Sequence, residues 1–440
     1  MSNVSRTNTK KLSNSAPPRK RWANADLCTH CGYCLPACPT YRVENDERQS
    51  PRGRVSIVLA LRDSGLEDEN AREALSHCLL CRACHTACPV GVRPGKLVVM
   101  ARSSLPAESH GKGDLFHKIT DNHTLTGITA TMLKQYRDRG VQGVVRDVGM
   151  LKLLGHLKRV EGLIPSRDSE TLASDKSLPT LVPQQEKQLT VGLLCGCMAR
   201  LFLPHVGRQA EEVLEALGCG VQVPEGFGCC GAPYREQGDR EQFVRQARRT
   251  VEAFRDQGDP DTLDAIICDS SVCAITAKSY AKALSKQEDI AEIAKVFASK
   301  VVDFGSFLAN RLDELDLSPA DPGMGTLTYH DHCQSRHALG TMAEPRRLLK
   351  RLPSPFQELP RSDRCCGAGG DYMLRYPVRS ANVRNDKLAA IVESEADTVV
   401  CANPGCLMNM EAGLRSRQES VQVRHVVEVM HASLTATEMS

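Results

Sequence analysis

Two short runs of the sequence carry cysteines at one shared spacing. They read CTHCGYCLPACP, beginning at Cys28, and CLLCRACHTACP, beginning at Cys78. In each run three cysteines are separated by two residues, and a fourth follows after three more, directly before a proline. Thiolates are soft ligands for iron, copper and zinc, so eight thiols grouped in this way predict metal binding rather than a disulfide framework.

The spacing C-x2-C-x2-C-x3-C-P is that of bacterial ferredoxins with two [4Fe–4S] clusters. In that arrangement three thiolates of one run bind one cluster, and the fourth cysteine crosses over to the other cluster. The proline turns the chain away after the fourth cysteine, because its φ is fixed and it has no N–H. The crossover predicts two ligand sets, Cys28, Cys31, Cys34 and Cys88 for the first cluster and Cys78, Cys81, Cys84 and Cys38 for the second.

Three other interpretations of these runs remain. Zinc also uses C-x2-C pairs, but its four-ligand sites need neither a third cysteine two residues on nor a fourth before proline. The segment CRACH, ending at His85, matches the haem-attachment motif, although it lies within a cluster run and no export signal precedes it. The third interpretation is that the clusters only stabilise the fold. Two clusters within one small domain are, however, the usual arrangement for passing electrons.

Histidines and arginines lie close to these cysteines. His30, His77 and His85 are interpreted as neighbours of the ligands, because the sulfurs already complete both sites. Arg52 and Arg54, in the segment PRGR, have two interpretations. They either raise a cluster potential or contact a partner, or they are solvated charges at the start of a helix.

The composition is that of a globular protein from a reducing compartment. The chain has 440 residues, 20 cysteines and a formal net charge of +3, and this charge gives no indication of nucleic acid binding. Residues 2–21 are polar and basic without an apolar segment, so we expect a disordered tail and no signal peptide. No run approaches the roughly 18 apolar residues of a transmembrane helix. We therefore expect a cytoplasmic protein, and any attachment to the membrane would be peripheral, on its inner face.

The C-terminal half contains an internal repeat. Apolar runs such as TVGLLCGC and GTLTYHDHC end in cysteines, and GFGCCGAP and DRCCGAGG follow them. Five cysteine positions recur at offsets of 136 or 133 residues, with amphipathic segments such as GRQAEEVLEALG and EPRRLLKRL between them. Strands that alternate with helices in two copies predict two related α/β lobes.

Each lobe carries C-x31-C-C-G followed by a later cysteine. Adjacent cysteines form only a strained disulfide with each other, whereas two neighbouring thiolates followed by glycine suit a metal centre over which the backbone can close. The alternative is that these cysteines pack as small buried hydrophobes. Cys195 and Cys219 have no counterpart in the other lobe and are predicted to be packed thiols.

The predicted fold combines α+β and α/β parts. A disordered basic tail (1–22) precedes a helical ferredoxin-like domain with two [4Fe–4S] clusters (23–105) and a helical connector with a linker (106–188). Two CCG lobes follow (189–315 and 316–440). The segments GMGTLT and GAGG lack the G-x-G-x-x-G spacing of dinucleotide sites, so we expect no flavin in this chain.

The order of these motifs resembles a known family. The two cysteine runs, the PRGR segment between them and the two CCG lobes resemble the iron–sulfur subunit of bacterial glycolate oxidase over residues 24–430. Related subunits serve anaerobic glycerol-3-phosphate dehydrogenase and lactate oxidation. The CCG lobe is also similar to that of heterodisulfide reductase, where it holds a noncubane [4Fe–4S] centre. That pattern ends in C-x-x-C, whereas CDSSVC and CANPGC in this chain are C-x4-C.

The resemblance implies an electron-transfer subunit of an oxidoreductase. A flavoprotein partner would oxidise glycolate to glyoxylate, and electrons would pass singly through two [4Fe–4S] clusters to an acceptor, membrane quinone. No catalytic residue is predicted in this chain. A disulfide reductase and a zinc-stabilised scaffold are the competing classes. An additional iron–sulfur centre in the lobes would use Cys197, Cys229, Cys230 and Cys273, and Cys333, Cys365, Cys366 and Cys406, with Cys268 and Cys401 as extra thiols.

Overall fold

The computed structural model describes residues 22–65, 68–105, 114–148, 155–166, 178, 189–315 and 319–437. These residues form two compact units, one from residues 1–109 with 236–239 and the other from residues 110–235 with 240–440. The predicted basic tail, and most of the predicted linker at 165–188, lie outside the described residues. No helix in the described ranges has the length and apolar character needed to cross a bilayer.

The first unit is helical. The longest of its helices begins with Ser50 as N-cap, whose hydroxyl accepts the N–H of Gly53, and ends before Gly65 at φ 64°. Val55, Val58 and Leu61 on its inner face pack into a core with residues of the last helix. The helices are α1 (Pro39–Glu44), α2 (Pro51–Ser64), α3 (Glu69–Ser76), α4 (Ala83–Ala87) and α5 (Pro94–Arg102).

The second unit begins with a helical segment. Asn122 caps the longest helix there by accepting the N–H of Leu125. Arg146 lies close to Glu161 at 2.9 Å, which joins two helices of the segment. The helices are α6 (Asp114–Asp121), α7 (His123–Asp138), α8 (Val141–Asp147) and α9 (Gly155–Gly162).

The first lobe is built on a four-stranded parallel sheet in the order β2-β1-β3-β4, with β1 (Leu189–Leu194), β2 (Cys219–Gln222), β3 (Ala265–Cys268) and β4 (Val301–Asp303). Leu194 pairs with Cys268, so the carboxyl ends of the two central strands are in register. The helices are α10 (Cys197–Phe202), α11 (Pro204–Ala216), α12 (Ala232–Gln237), α13 (Arg240–Gln257), α14 (Ser271–Ala277), α15 (Tyr280–Ala283), α16 (Ala291–Lys300) and α17 (Phe304–Leu315).

The second lobe repeats the pattern with a three-stranded parallel sheet in the order β5-β6-β7. Its strands are β5 (Leu327–Tyr329), β6 (Thr398–Cys401) and β7 (Gln422–His425). A π-helical turn (Ser335–Leu339) lies where the first lobe has a regular helix. The α-helices are α18 (Ala343–Leu349), α19 (Tyr372–Arg375), α20 (Pro377–Glu393), α21 (Pro404–Ser416) and α22 (Val426–Thr437).

The two lobes share one hydrophobic core, which contains residues of both sheets. Helices α11 and α22 pack together, and His205 of α11 lies 3.0 Å from Glu428 of α22. The loop after β3 also meets the loop after β6, because the N–H of Ser271 donates to the carbonyl of Ala402 at 3.2 Å. The carboxyl ends of the central strands of both lobes are therefore neighbours, and the cysteine-bearing loops follow these ends.

Candidate iron–sulfur sites

The predicted second ligand set surrounds one cavity of the first unit. Cys38, Cys78, Cys81 and Cys84 all line it, although Cys38 is 40 residues from the nearest of the others in sequence. Leu80 and Val98 are among the apolar residues of the lining, and Arg54 is also part of it. The fold therefore brings the fourth cysteine of the first run to the three closely spaced cysteines of the second.

The predicted first ligand set surrounds a second cavity. Cys28, Cys31 and Cys34 line it together with Cys88 from the second run. Cys84 lines both cavities, so the two thiol sets are adjacent. None of these eight cysteines forms a disulfide. Two sets of four convergent thiols are a donor set that fits two iron–sulfur clusters, because such clusters are held by thiolates.

The backbone of the two cysteine loops has the same unusual shape. His30 and Gly32 have φ of 54° and 87°, and Leu80 and Arg82, at the equivalent positions of the second run, have 51° and 65°. Left-handed residues at alternate positions turn successive backbone N–H groups toward one concave side, an arrangement that favours anions. A thiolate-bound cluster carries negative charge, so this loop shape suits it.

Arg54 is buried at the second cavity and is not a solvated charge. Its Nη1 donates to Thr40 Oγ1 at 3.1 Å and to the carbonyl of Gln49 at 2.7 Å, and it lies 3.9 Å from Cys38 Sγ. Its Nε donates to the carbonyl of Ala74 at 2.8 Å, and its Nη2 to Gln49 Oε1. Arg52 differs, because it is partly exposed and pairs with Glu47 at 2.6 Å.

The histidines beside the ligands have other contacts. His85 Nε2 accepts the N–H of Gly95 at 3.0 Å, at the start of α5, and this contact argues against a role as haem ligand. His77 is buried, with its Nδ1 3.5 Å from the side-chain amide of Gln49. His30 is exposed, and its carbonyl accepts a hydrogen bond from Arg52.

The thiols differ in their tendency to ionise. Burial raises the pKa of Cys34 to about 11, and burial together with the neighbouring Cys78 raises that of Cys84 well above the usual range. The exposed Cys31 has a lowered pKa, because the N–H of Tyr33 stabilises its thiolate. Metal binding at the buried thiols must therefore displace protons, as is general for cysteine sites.

In the first lobe the four CCG cysteines form a chain of thiols. Cys229 interacts with Cys197 and with Cys230, and Cys230 interacts with Cys273. All four are buried. The thiols of Cys229 and Cys273 lower the pKa of Cys230, which makes it the preferred thiolate of the group. The hydroxyl of Tyr280 fixes the loop by donating to the carbonyl of Cys230 at 2.7 Å.

In the second lobe the corresponding cysteines are accompanied by a histidine. Cys366 interacts with Cys365 and Cys406, and Cys333 is half-buried near them. A ring nitrogen of His330 lies within 4.8 Å of the Sγ atoms of both Cys366 and Cys406. The cysteine pattern does not indicate His330, although the segment YHDHC differs visibly from LLCGC at the same point of the repeat.

The glycine of the CCG motif has a packing role. Gly367 has φ of 79°, and a Cβ atom there would lie 2.4 Å from the carbonyl oxygen of Ser380 in α20. Gly231 has φ of 84°, and a Cβ atom there would lie 3.0 Å from the ring of Phe243 in α13, a milder contact with a side chain. The sequence predicts a glycine here because the backbone can then close over a metal. The close contact with the following long helix is a second reason for a glycine at this position.

The remaining cysteines of the lobes are buried thiols at strand ends or in the core. Cys268 and Cys401 end β3 and β6, are fully buried, and have raised pKa values because of burial. Cys195 and Cys219 lie in the hydrophobic core, as the packed-thiol interpretation predicts. In the described residues none of these four belongs to a group of three convergent metal-ligand atoms.

Comparison with known proteins agrees with the geometry. Residues 24–92 match the 4Fe-4S dicluster domain family, and residues 191–278 and 327–411 each match the cysteine-rich CCG domain family. The chain is thus an iron–sulfur protein with a ferredoxin-like dicluster domain followed by two CCG domains, which confirms the predicted fold class.

Individual relatives narrow this class. The probable glycolate oxidase iron–sulfur subunit of Bacillus subtilis (strain 168) is 32% identical over 417 residues, which cover 91% of each chain. The glycolate oxidase iron–sulfur subunit of Escherichia coli (strain K12) is 26% identical over 409 residues, 92% of this chain and 93% of that one. Lactate utilization protein A of Bacillus licheniformis is 30% identical over 245 residues, 56% of this chain and all of the relative. The chain belongs to the family of glycolate oxidase iron–sulfur subunits, and the resemblance noted from the motifs is confirmed.

Proposed function

We propose that this chain is the electron-transfer subunit of a flavin-dependent glycolate oxidase. Two [4Fe–4S] clusters, held by Cys28, Cys31, Cys34 and Cys88 and by Cys78, Cys81, Cys84 and Cys38, would supply one-electron transfer. A flavoprotein partner takes two electrons and two protons from glycolate, giving glyoxylate, and the acceptor is membrane quinone. Substrate oxidation itself takes place on the partner, and this chain works in the cytoplasm or on the inner face of the membrane.

The observation that carries the proposal is the pair of adjacent thiol cavities. Cysteines from both runs line each cavity, four at the second and five at the first, because Cys84 lines both. Two clusters held this close favour transfer of an electron between them. A purely structural role for the metal would need one such site and would gain nothing from the second beside it.

The surface beside the first cavity supports a docking role for the flavoprotein. Tyr33 and Val90, which are 70% and 46% exposed, line this cavity together with the exposed Cys31, and Leu27, next to Cys28 in sequence, is 51% exposed. Exposed apolar side chains that surround a cofactor site are typical of a protein interface. The second cavity is less accessible, because Cys38 and Cys81 are buried. We therefore assign electron entry from the flavoprotein to the first ligand set.

Glycolate is the proposed substrate because relatives that cover about nine-tenths of the chain are named as glycolate oxidase subunits. Lactate is the second candidate, since the chain also matches lactate utilization protein A over that protein's full length. Glycolate and lactate differ by one methyl group on the oxidised carbon. Only the substrate pocket of the flavoprotein can distinguish the two.

The test is anaerobic purification of the full chain with its flavoprotein partner. We expect about eight iron atoms per chain for the two cubane sites, and bleaching of the cluster absorbance on addition of glycolate but not of lactate or glycerol 3-phosphate. Bleaching by another substrate would overturn the choice of glycolate and leave the electron-transfer role in place. A complex that binds iron but is reduced by none of the three would overturn the role itself.

Matched variants test the crossover. Cys38→Ser should alter the paramagnetic spectrum of the cluster that Cys78→Ser alters, and Cys88→Ser that of the cluster altered by Cys28→Ser. If Cys38→Ser instead affects the same cluster as Cys28→Ser, each run holds its own cluster and the ligand assignment is wrong.

A further inference from the structure

The second lobe contains a compact group of nitrogen and sulfur ligands. One ring nitrogen of His330 and the Sγ atoms of Cys366 and Cys406 all lie within 4.8 Å of one another. They come from three separate segments, the end of β5, the CCG loop and the first turn of α21. All three side chains are buried, with 1%, 2% and 3% of their surfaces exposed.

The imidazole of His330 lacks a hydrogen-bond partner. Neither Nδ1 nor Nε2 is paired with another atom of the described chain, although the ring is buried. An unpaired buried polar atom costs about 1–3 kcal/mol and is rare in native proteins. Burial also lowers the pKa of His330 well below its usual range, which keeps the ring neutral. A neutral imidazole aimed at two thiols is the form that binds a metal ion.

The first lobe has a different arrangement at the same point of the repeat. Leu194 occupies the position 136 residues before His330, so an apolar side chain replaces the imidazole. The thiols of Cys197, Cys229, Cys230 and Cys273 interact in a chain, and no three of their sulfur atoms all lie within 4.8 Å of one another.

This difference in ligand type and spacing indicates whether a lobe binds a single metal ion or a cluster of several. In a tetrahedral zinc site, with Zn–S of about 2.3 Å and Zn–N of about 2.0 Å, ligand atoms lie roughly 3.5–4 Å apart. The group of His330, Cys366 and Cys406 needs only a small contraction to reach that spacing. Mixed nitrogen and sulfur ligation in a closed, buried setting is also typical of structural zinc.

We propose that the second CCG lobe binds one zinc ion through His330, Cys366 and Cys406, and that the first lobe does not. Cys365, whose thiol interacts with that of Cys366, provides the fourth ligand. Zinc joins the three segments that supply these residues and stabilises the loop. Because zinc has no accessible second oxidation state, the second lobe carries no electrons.

A buried lysine supports this charge pattern. Three thiolates, one neutral histidine and Zn²⁺ carry a net charge of −1. Lys387 is fully buried in α20, and its Nζ donates to the carbonyl of Ser362 at 2.9 Å. Burial lowers the pKa of Lys387 to about 8, and the nearby Cys366 and Cys365 thiols act in the opposite direction. A cation at this place offsets the charge of the site, whereas an empty pocket of neutral thiols would leave it uncompensated.

The test uses the full chain, purified anaerobically, with metal analysis and zinc X-ray absorption. Wild type should contain one zinc per chain, with a first shell of one nitrogen and three sulfurs. His330→Leu, which copies the first lobe, should lower zinc at least tenfold with iron in the N-terminal unit unchanged. His330→Cys should keep the zinc but replace the nitrogen by a fourth sulfur. Cys273→Ser, in the first lobe, is the matched control and should leave zinc content unchanged.

Three results would overturn the proposal: zinc absent from wild type with iron in its place, zinc unaffected by His330→Leu, or an all-sulfur shell in wild type. If His330→Leu fails to fold, the zinc shell of His330→Cys still decides the question. The readout does not use glycolate, so failure of the proposed substrate or of the electron-transfer role leaves this result independent.

Discussion

Arg54 provides the sharpest test of how the protein sets its redox properties. Its guanidinium is buried and lies 3.9 Å from Cys38 Sγ, a proposed ligand of the second cluster. A fixed positive charge stabilises the reduced form of a neighbouring cluster, because that form carries one more electron. Removing the charge should therefore lower the reduction potential of that cluster.

The structure gives the order of magnitude. One unit of negative charge on Cys38 Sγ interacts with the guanidinium by about 4 kcal/mol at an effective dielectric constant of about 20. The added electron is spread over a whole cluster, so only a fraction of this applies, on the order of 1–2 kcal/mol. Since about 1.4 kcal/mol corresponds to 59 mV for one electron, the expected shift is roughly 50 mV or somewhat more.

The assay is a redox titration monitored by electron paramagnetic resonance, with two variants of the same residue. Arg54→Gln removes the charge, whereas Arg54→Lys keeps it, and both lose most of the hydrogen bonds to Gln49 and Ala74. Both should therefore be less stable, because buried carbonyls left unpaired cost about 1–3 kcal/mol each. Only Arg54→Gln should lower the potential of the second cluster.

Arg52→Gln is the control. Arg52 belongs to the same PRGR segment, but it is partly exposed and its charge is balanced by Glu47 at 2.6 Å. We expect its removal to shift either potential by much less than the Arg54→Gln change. Equal shifts in Arg54→Gln and Arg54→Lys, or an equal shift in Arg52→Gln, would refute the electrostatic reasoning and point to altered loop geometry instead.

Three further predictions concern stability and docking. Burial lowers the pKa of His425 to about 4, so the unfolded chain, with a histidine pKa of about 6.5, takes up the proton first. The stabilising contribution of the neutral His425 is complete above about pH 6.5 and is lost as the pH falls toward 4. Between pH 7.5 and 5 this should lower the free energy of unfolding by about 2 kcal/mol. Urea unfolding should show that His425→Gln lacks this part of the decrease. Gly32→Ala, at φ 87°, should lower the melting temperature, with a cost of about 1 kcal/mol, whereas Arg82→Gly at the equivalent position should not, and the opposite order would contradict the loop geometry. Tyr33→Asp should slow cluster reduction by the flavoprotein at least fivefold with unchanged iron content, and an unchanged rate would remove this surface from the proposed interface.

The cysteine spacing made much of this architecture predictable. A metal site fixes which side chains must converge, so the eight N-terminal cysteines indicate how the chain must turn even where propensity is weak. The repeat was equally informative, because a shared offset of 136 residues predicts a shared scaffold. The strands that end at Leu194, Tyr329, Cys268 and Cys401 lie where the apolar runs place them.

The sequence could not distinguish the two arginines of PRGR. Both are charged residues in the first turn of a helix, and such residues are usually solvated. Arg54 is buried because Thr40, Gln49 and Ala74 supply acceptors from three separate segments. Acceptors of this kind are mostly backbone carbonyls, and their positions depend on the tertiary fold rather than on residue type.

His330 was missed for a different reason. When the two lobes are compared by their cysteines, only the positions that they share stand out. The chemical difference lies at a position where the lobes carry different residues, Leu194 and His330. A duplicated scaffold keeps the loops that present thiols, because Gly231 and Gly367 are both fixed by positive φ and close packing. Leu194 ends β1 and His330 directly follows β5, so this position lies at the carboxyl end of the first strand of each lobe. One substitution between leucine and histidine at this point would therefore be enough to give two lobes with one backbone different metal chemistry.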